Sequence, residues 1–151
     1  MAAWDRAYVQ VYTGDGKGKT TAALGLALRA AGAGRTVFIA QFVKGMAYSE
    51  LASLARLADR VTVRQYGLRC FIQDAPTPED IAAAREGLRE AREAIASGRF
   101  DVVILDEANI ATHFGLFSAA ELLEVVDLAA DRVEIVITGR RADPRVIERA
   151  D

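Results

Sequence analysis

Short apolar, β-rich runs alternate with longer Ala/Leu/Arg/Glu segments along the chain, and this alternation constrains the fold more than any other feature. Ala7-Tyr-Val-Gln-Val-Tyr12, Thr36-Val-Phe-Ile-Ala-Gln-Phe42, Val61–Gln65, Val102-Val-Ile-Leu105 and Glu134-Ile-Val-Ile-Thr138 read as five strands. The second is apolar almost throughout and the fourth wholly so, as strands covered on both faces must be. Helices are expected from Thr20 to about Ala33, near Ser49–Ala58, from Thr77 to about Ser97, from Ser118 to about Ala130, and after Asp143-Pro144. Thr77 ahead of Pro78, Glu79 and Asp80 is a helix start, and Ser118-Ala-Ala-Glu121 is a capping box. The Arg/Glu run from Arg85 to Glu93 reads as a solvated helix face, with Arg89 and Glu93 spaced as an exposed pair. Strand–helix alternation with short connections implies right-handed crossovers and an α/β fold, a mainly parallel sheet flanked by helices in three layers.

Composition narrows the function. Lys plus Arg is 19 and Asp plus Glu 21, so the net charge of −2 gives no reason to expect nucleic acid or an anionic membrane as partner. A single cysteine, Cys70, forms no internal disulfide, and one histidine with one cysteine cannot build a zinc finger or a three-His zinc site. No G-x-S-x-G elbow surrounds any serine, and His113 reads as a locally bonded residue rather than a catalytic one. Met1–Arg6 has no apolar signal core and no apolar run reaches membrane-span length, so a cytoplasmic protein is expected. With neither a repeat nor a linker, residues 1–151 read as a single nucleotide-binding domain.

That last assignment comes from Thr13-Gly14-Asp15-Gly16-Lys17-Gly18-Lys19-Thr20-Thr21, between the first strand and the first helix. Gly18, Lys19 and Thr20 fill the second half of the P-loop pattern G-x-x-x-x-G-K-[ST], with Thr13 where the first glycine is usual. Glycines let backbone N–H groups converge on phosphate oxygens, the helix adds its positive N-terminus, and Lys19 neutralises charge. The Thr20 hydroxyl is placed to ligate Mg²⁺.

Val102-Val-Ile-Leu-Asp106-Glu107 puts two carboxylates at the C-terminal edge of a parallel sheet, where ligands bind in open α/β folds. This is the Walker B arrangement, in which an acid reaches Mg²⁺ directly or through water. Gln41-Phe-Val-Lys44-Gly45 and Thr138-Gly139-Arg140-Arg141 carry polar residues to the same edge, while Met46 and Tyr48 read simply as loop residues.

Together with Ala27–Gly34, Leu105-Asp-Glu-Ala-Asn-Ile-Ala111 and Val136–Arg140, these stretches resemble the P-loop type of corrinoid adenosyltransferase, in the same order and spacing from about Ala7 to Asp151. The resemblance implies a P-loop NTPase-like (RecA-like) homodimer that transfers the 5′-deoxyadenosyl group of ATP to the Co(I) of a reduced corrinoid and releases triphosphate. In that family ATP lies in the P-loop in a reversed sense and Mg²⁺ (or Mn²⁺) bridges its phosphates. Carried over by position, Gly14, Asp15, Gly16, Lys17, Gly18, Lys19, Thr20 and Thr21 would hold the triphosphate. Thr20, Asp106 and Glu107 would hold the metal, and Lys19, Thr20 and Glu107 would form the catalytic set. Arg29, Gln41 and Lys44 join the cofactor-binding candidates, with Tyr66 and Phe71 as contacts to the corrinoid. A flavin-type electron donor is a further expected partner.

The chain departs from the family pattern in three places. Asp15 stands where many members have Asn. Gly67-Leu-Arg-Cys-Phe-Ile72 replaces the G-E-G-F-T-W stretch whose Phe and Trp displace the lower cobalt ligand, leaving Phe71 as a shifted substitute. The family usually continues past the position of Asp151, so a missing C-terminal tail is expected. Two other classes share the motifs: an ATPase or kinase-like enzyme transferring the γ-phosphoryl group, and a non-catalytic, ATP-dependent binding module.

Overall fold

The computed structural model describes residues 4–68 and 75–151. Its elements follow in the order β1 (Val9–Tyr12), α1 (Lys19–Gly32), β2 (Val37–Phe42), α2 (Ser49–Ala55), β3 (Val61–Tyr66), α3 (Pro78–Ala96), β4 (Val102–Asp106), α4 (Ala108–His113), α5 (Ala119–Asp127), β5 (Glu134–Thr138) and α6 (Pro144–Arg149). The strands form one sheet in the order β1-β5-β4-β2-β3, and every pairing is parallel. β1 and β5 therefore lie on one side of β4 and β2 and β3 on the other, and the C-terminal ends of all five strands come to one edge.

Strand alternation builds the two buried layers. Val37 and Ile39 of β2 join Ile104 and Val136 under α1, whose Ala23, Ala27 and Ala30 let the helix lie close to the sheet. Phe38, Ala40 and Phe42 point the other way, with Leu105 and Ile137, into the larger core beneath α3 and α5. There Phe42 meets Phe117 edge-on at 5.3 Å between centroids and Tyr66 at 5.8 Å. The expected capping box at Ser118 is present, and the helix start at Thr77 is a second one: Thr77 accepts from the Asp80 N–H and Ser118 from the Glu121 N–H, each reciprocated. The solvated pair on α3 is present too, at 2.5 Å from Arg89 to Glu93.

The structure differs from the sequence reading in a few elements. Tyr66, one residue beyond the expected strand, is the last residue of β3, where its pairing with Phe42 completes the ladder. Helices α2 and α5 end about three residues early. A short helix, α4, follows the paired acids where none was expected. Six residues are too few to show helical periodicity in sequence.

Gly87 of α3 sits over these aromatic rings, where an added Cβ would lie 2.6 Å from Tyr66 Cγ and 2.7 Å from Phe42 Cε1. Alanine would be favoured in an open helix by about 1 kcal/mol. Overpacking of a filled core typically costs about 1–3 kcal/mol and here should win. Gly87→Ala is therefore expected to lower the thermal denaturation midpoint; an unchanged or raised midpoint would show that the rings yield.

Candidate active site

The turn after β1 delivers α1 with its N-terminus open. Gly18 is the N-cap with φ 106°, and no side chain caps the first turn. Gly14 is also in the left-handed region at φ 115°. A Cβ at either position would be strained, while the uncapped N–H groups remain available to an anion. The Lys19 ammonium folds back to donate to the Gly16 carbonyl.

A cleft of about 490 Å³ opens at this turn. Residues 16–21 form one side, Val43, Lys44 and Tyr48 another, and Glu107, Ile110, Phe114 and Arg140 the rest. Its floor is built on Asp106, which is 1% exposed. Asp106 Oδ1 accepts from the Thr20 hydroxyl and from the Thr138 hydroxyl, both at 2.7 Å. Its Oδ2 accepts from Lys44 Nζ at 2.6 Å and from Gln41 Nε2 at 3.3 Å. Lys44 Nζ also donates to Thr20 Oγ1 at 3.2 Å. Three elements, α1, β2 with the turn after it, and β5, thus converge on one carboxylate of β4.

Glu107 follows in a left-handed conformation, φ 61°, as N-cap of α4. Non-glycine residues adopt it at a cost of roughly 1–3 kcal/mol. Here the turn is held by the Glu107 N–H donating to Thr138 Oγ1 at 3.0 Å. The result is that adjacent acids serve the same site: Asp106 bonds Thr20 beneath it, and Glu107 lines the cleft. Burial, with the Asp106 charge beside it, pushes the Glu107 carboxyl above its ordinary range against the opposing pull of Lys44, Lys19 and Arg140.

Of the residues singled out in sequence, Gly16 to Thr21, Lys44 and Glu107 line the cleft. Asp106 and Gln41 lie under it, and Gln41 accepts in turn from Gln65 at 3.2 Å. Gly14 and Asp15 are exposed in the same turn but outside the cleft wall. Arg29 is in the last turn of α1, ten residues from Lys19 and so about 15 Å along the helix. That distance separates it from the glycine-rich turn. Tyr66 is turned into the core: it is 8% exposed, packs on Phe42, and donates its hydroxyl to Glu90. This arrangement leaves no ring face for a ligand. Phe71 lies outside the described residues.

Sequence reasoning passed over Ile110 and Phe114 and read Tyr48 as a loop residue. Glu107, Ile110 and Phe114 are spaced i, i+3, i+7, a helical stripe that would have pointed to the cleft had α4 been recognised. Arg140, from a stretch expected at this edge of the sheet, is in the wall. His113 is exposed, with its ring 5.6 Å from that of Phe114.

Because its carboxyl titrates higher when folded than unfolded, Glu107 is fully tolerated below the ordinary carboxylate range and opposes folding as pH rises through its raised range. Without metal or nucleotide, Glu107→Gln should thus be more stable than the parent at pH 7–8. Its advantage should fade on acidification and vanish once both forms are neutral. Thermal melts across pH check this, and a pH-independent difference would contradict it.

The described residues contain no helix long and apolar enough to cross a membrane and no cluster of three or more His, Cys, Asp or Glu suited to a metal. Comparison with known proteins gives a consistent family. A corrinoid adenosyltransferase of Pseudomonas aeruginosa is 33% identical across 97% of this chain and 73% of its own length. One from Escherichia coli K12 is 33% identical across 97% of this chain and 74% of its own. The enzyme named corrinoid adenosyltransferase CobA in Salmonella typhimurium is 30% identical with the same coverage. Residues 5–151 match the family model described as ATP:corrinoid adenosyltransferase BtuR/CobO/CobP, and the chain belongs to that family.

Proposed function

We propose that the chain performs the reaction of its family, moving the 5′-deoxyadenosyl group of ATP to the cobalt of a reduced corrinoid, with this cleft as the ATP site. The observation that carries the assignment of the cleft is the 2.7 Å bond between Thr20, at the start of the P-loop helix, and Asp106, at the end of β4. It ties a phosphate-binding turn to a buried acid, as metal–nucleotide sites require. The triphosphate lies against residues 14–21, where the N-terminal N–H groups of α1 and the Lys17 and Lys19 ammonium groups meet its charge. Arg140 and Lys44 add positive charge from the facing walls, and Ile110 and Phe114 offer an apolar surface to the nucleoside.

The donors present fit a hard divalent cation. Thr20, Asp106 and Glu107 offer only oxygen, and Mg²⁺ beside a nucleotide needs one or two carboxylates rather than a full protein cage. Mg²⁺ or Mn²⁺ held there would neutralise charge on the departing triphosphate. The raised Glu107 carboxyl suits this role, since a nearby cation would favour its ionised form.

Co(I) needs no general base from the protein. Its electron pair forms the Co–C bond at C5′, the C5′–O bond breaks with its pair leaving on triphosphate, and cobalt ends as Co(III). The protein's task is alignment of C5′ and stabilisation of the leaving group. A homodimer, a cytoplasmic setting and a flavin-type donor whose electrons reduce the corrinoid cobalt to Co(I) belong to the same proposal.

Mixing the protein with Mg-ATP and a Co(I) corrinoid should give intact triphosphate by phosphorus NMR and a light-sensitive alkylcorrinoid spectrum. ADP and orthophosphate as sole products would overturn the reaction. Lys19→Ala should reduce ATP affinity at least tenfold by calorimetry with circular dichroism unchanged, since contacts to charged groups are worth about 1.5–3 kcal/mol. Undiminished affinity would overturn the placement of ATP.

A further inference from the structure

Among the described residues Lys44 makes the shortest hydrogen bond to Asp106 and the only ion pair on it. The two oxygens it bonds, Asp106 Oδ2 and Thr20 Oγ1, come from the same pair of side chains that would hold a divalent cation. The Thr20 hydroxyl gives its proton to Asp106 Oδ1, so its lone pairs are left for the ammonium. The Lys44 side chain is 15% exposed and the Asp106 side chain 1%, so one end of this pair faces the cleft while the other is sealed. A buried carboxylate without a counter-ion is strongly disfavoured, and Lys44 supplies that counter-ion.

A metal bound to the same oxygens at roughly 2.0–2.1 Å leaves no room for an ammonium at 2.6–3.2 Å, and the two cations repel. The backbone beneath Lys44 has little freedom to carry it away. Val43 is left-handed at φ 63°, and Gly45 packs so closely that an added Cβ would lie 2.2 Å from the Gly67 carbonyl oxygen. Movement is therefore confined to the long side chain, which can turn toward the phosphate side of the cleft, past the Tyr48 ring 5.9 Å from its Nζ.

Residue type supports this. The sequence has three lysines among its 19 basic residues, and Lys17, Lys19 and Lys44 all line this cleft. Arginine, used at the other sixteen basic positions, Arg140 of the cleft wall among them, would grip Asp106 through a planar two-point fork, whereas an ammonium is a compact charge on a flexible stem.

We propose that Lys44 is a displaceable counter-ion: it holds the cation position between Thr20 and Asp106 until the metal–nucleotide complex arrives, then swings to the triphosphate. The proposal rests on the nucleotide–metal reading of the cleft and adds to it an exchange of cations. Asp106 would thereby stay neutralised in both states, by Lys44 and then by the metal, and tight metal binding would be conditional on nucleotide.

With only three lysines, ¹⁵N-lysine NMR can follow the Lys44 ammonium directly in the parent protein. A slowly exchanging ammonium signal is expected in the free protein, retained with ATP plus chelator and shifted or lost with Mg-ATP. Persistence of that signal unchanged when calorimetry shows Mg-ATP bound would overturn the displacement while leaving the nucleotide site standing. Absence of any Mg-ATP binding would overturn both. In a second arm, Mn²⁺ binding without nucleotide is measured by electron paramagnetic resonance on Lys44→Met, which removes the resident cation. The variant should bind Mn²⁺ at least tenfold more tightly than the parent, and Asp106→Asn added to it should abolish the gain. Equal or weaker binding by a folded Lys44→Met overturns the proposal. If that variant does not fold, the NMR experiment on the parent decides alone.

Discussion

The buried carboxylate of Asp106 is the point on which the site depends. It is sealed at the C-terminal edge of the sheet, yet receives four hydrogen bonds from Thr20, Gln41, Lys44 and Thr138. Each donor comes from a different strand end, helix start or following turn. Removing one partner of a buried ion pair costs roughly 3–5 kcal/mol, because the charge left behind has no water to turn to. The arrangement thus fixes the P-loop helix against β4 and holds the turn after β2 in place before any ligand arrives. A phosphate site needs that rigidity, because its N–H groups must point at oxygens already in position.

Apolar layers make the arrangement possible. Faces of β2, β4 and β5 are covered on both sides, so the polar ends of these strands are forced to one rim. Close packing of α1 through Ala23, Ala27 and Ala30 brings Thr20 within reach of β4. At the same rim the chain accepts two unfavourable conformations, left-handed Val43 and left-handed Glu107. Both turns aim a charged side chain, Lys44 or Glu107, at the cleft. Glu107 is also held against its electrostatic preference, with its carboxyl raised by burial and by Asp106. Strain and unfavourable charge collect where a cation and a triphosphate would relieve them.

Much of this was legible in the chain. Five strands and the principal helices could be placed because apolar period and helix-end signals agreed at each level. The P-loop and the paired acids were legible because the chemistry demands fixed residue types at fixed spacing. Less legible was Tyr66, whose sequence neighbourhood pointed to a ligand but whose ring fills space beside Phe42 and Gly87. Arg29 lies in a stretch matching the family yet ends up a helix length from the cleft, since helical rise separates residues that sequence merely lists in order. Ile110 and Phe114 were hidden in a helix too short to declare itself.

The sequence alone determined the layered α/β class, the phosphate-binding turn and the presence of two acids at a strand end, because each follows from local periodicity or from contiguous residues. It also carried the family. Tertiary structure decided which acid is buried against Thr20 and which lines the cleft, through the left-handed turn at Glu107. It decided as well that Lys44 is an ion-pair partner rather than a surface charge, and that Thr138 completes the floor. Those outcomes depend on the order β1-β5-β4-β2-β3, which brings together residues 20, 41, 44, 106 and 138. Contacts across such separations arise from how strands pair and helices cross, and no local pattern encodes them.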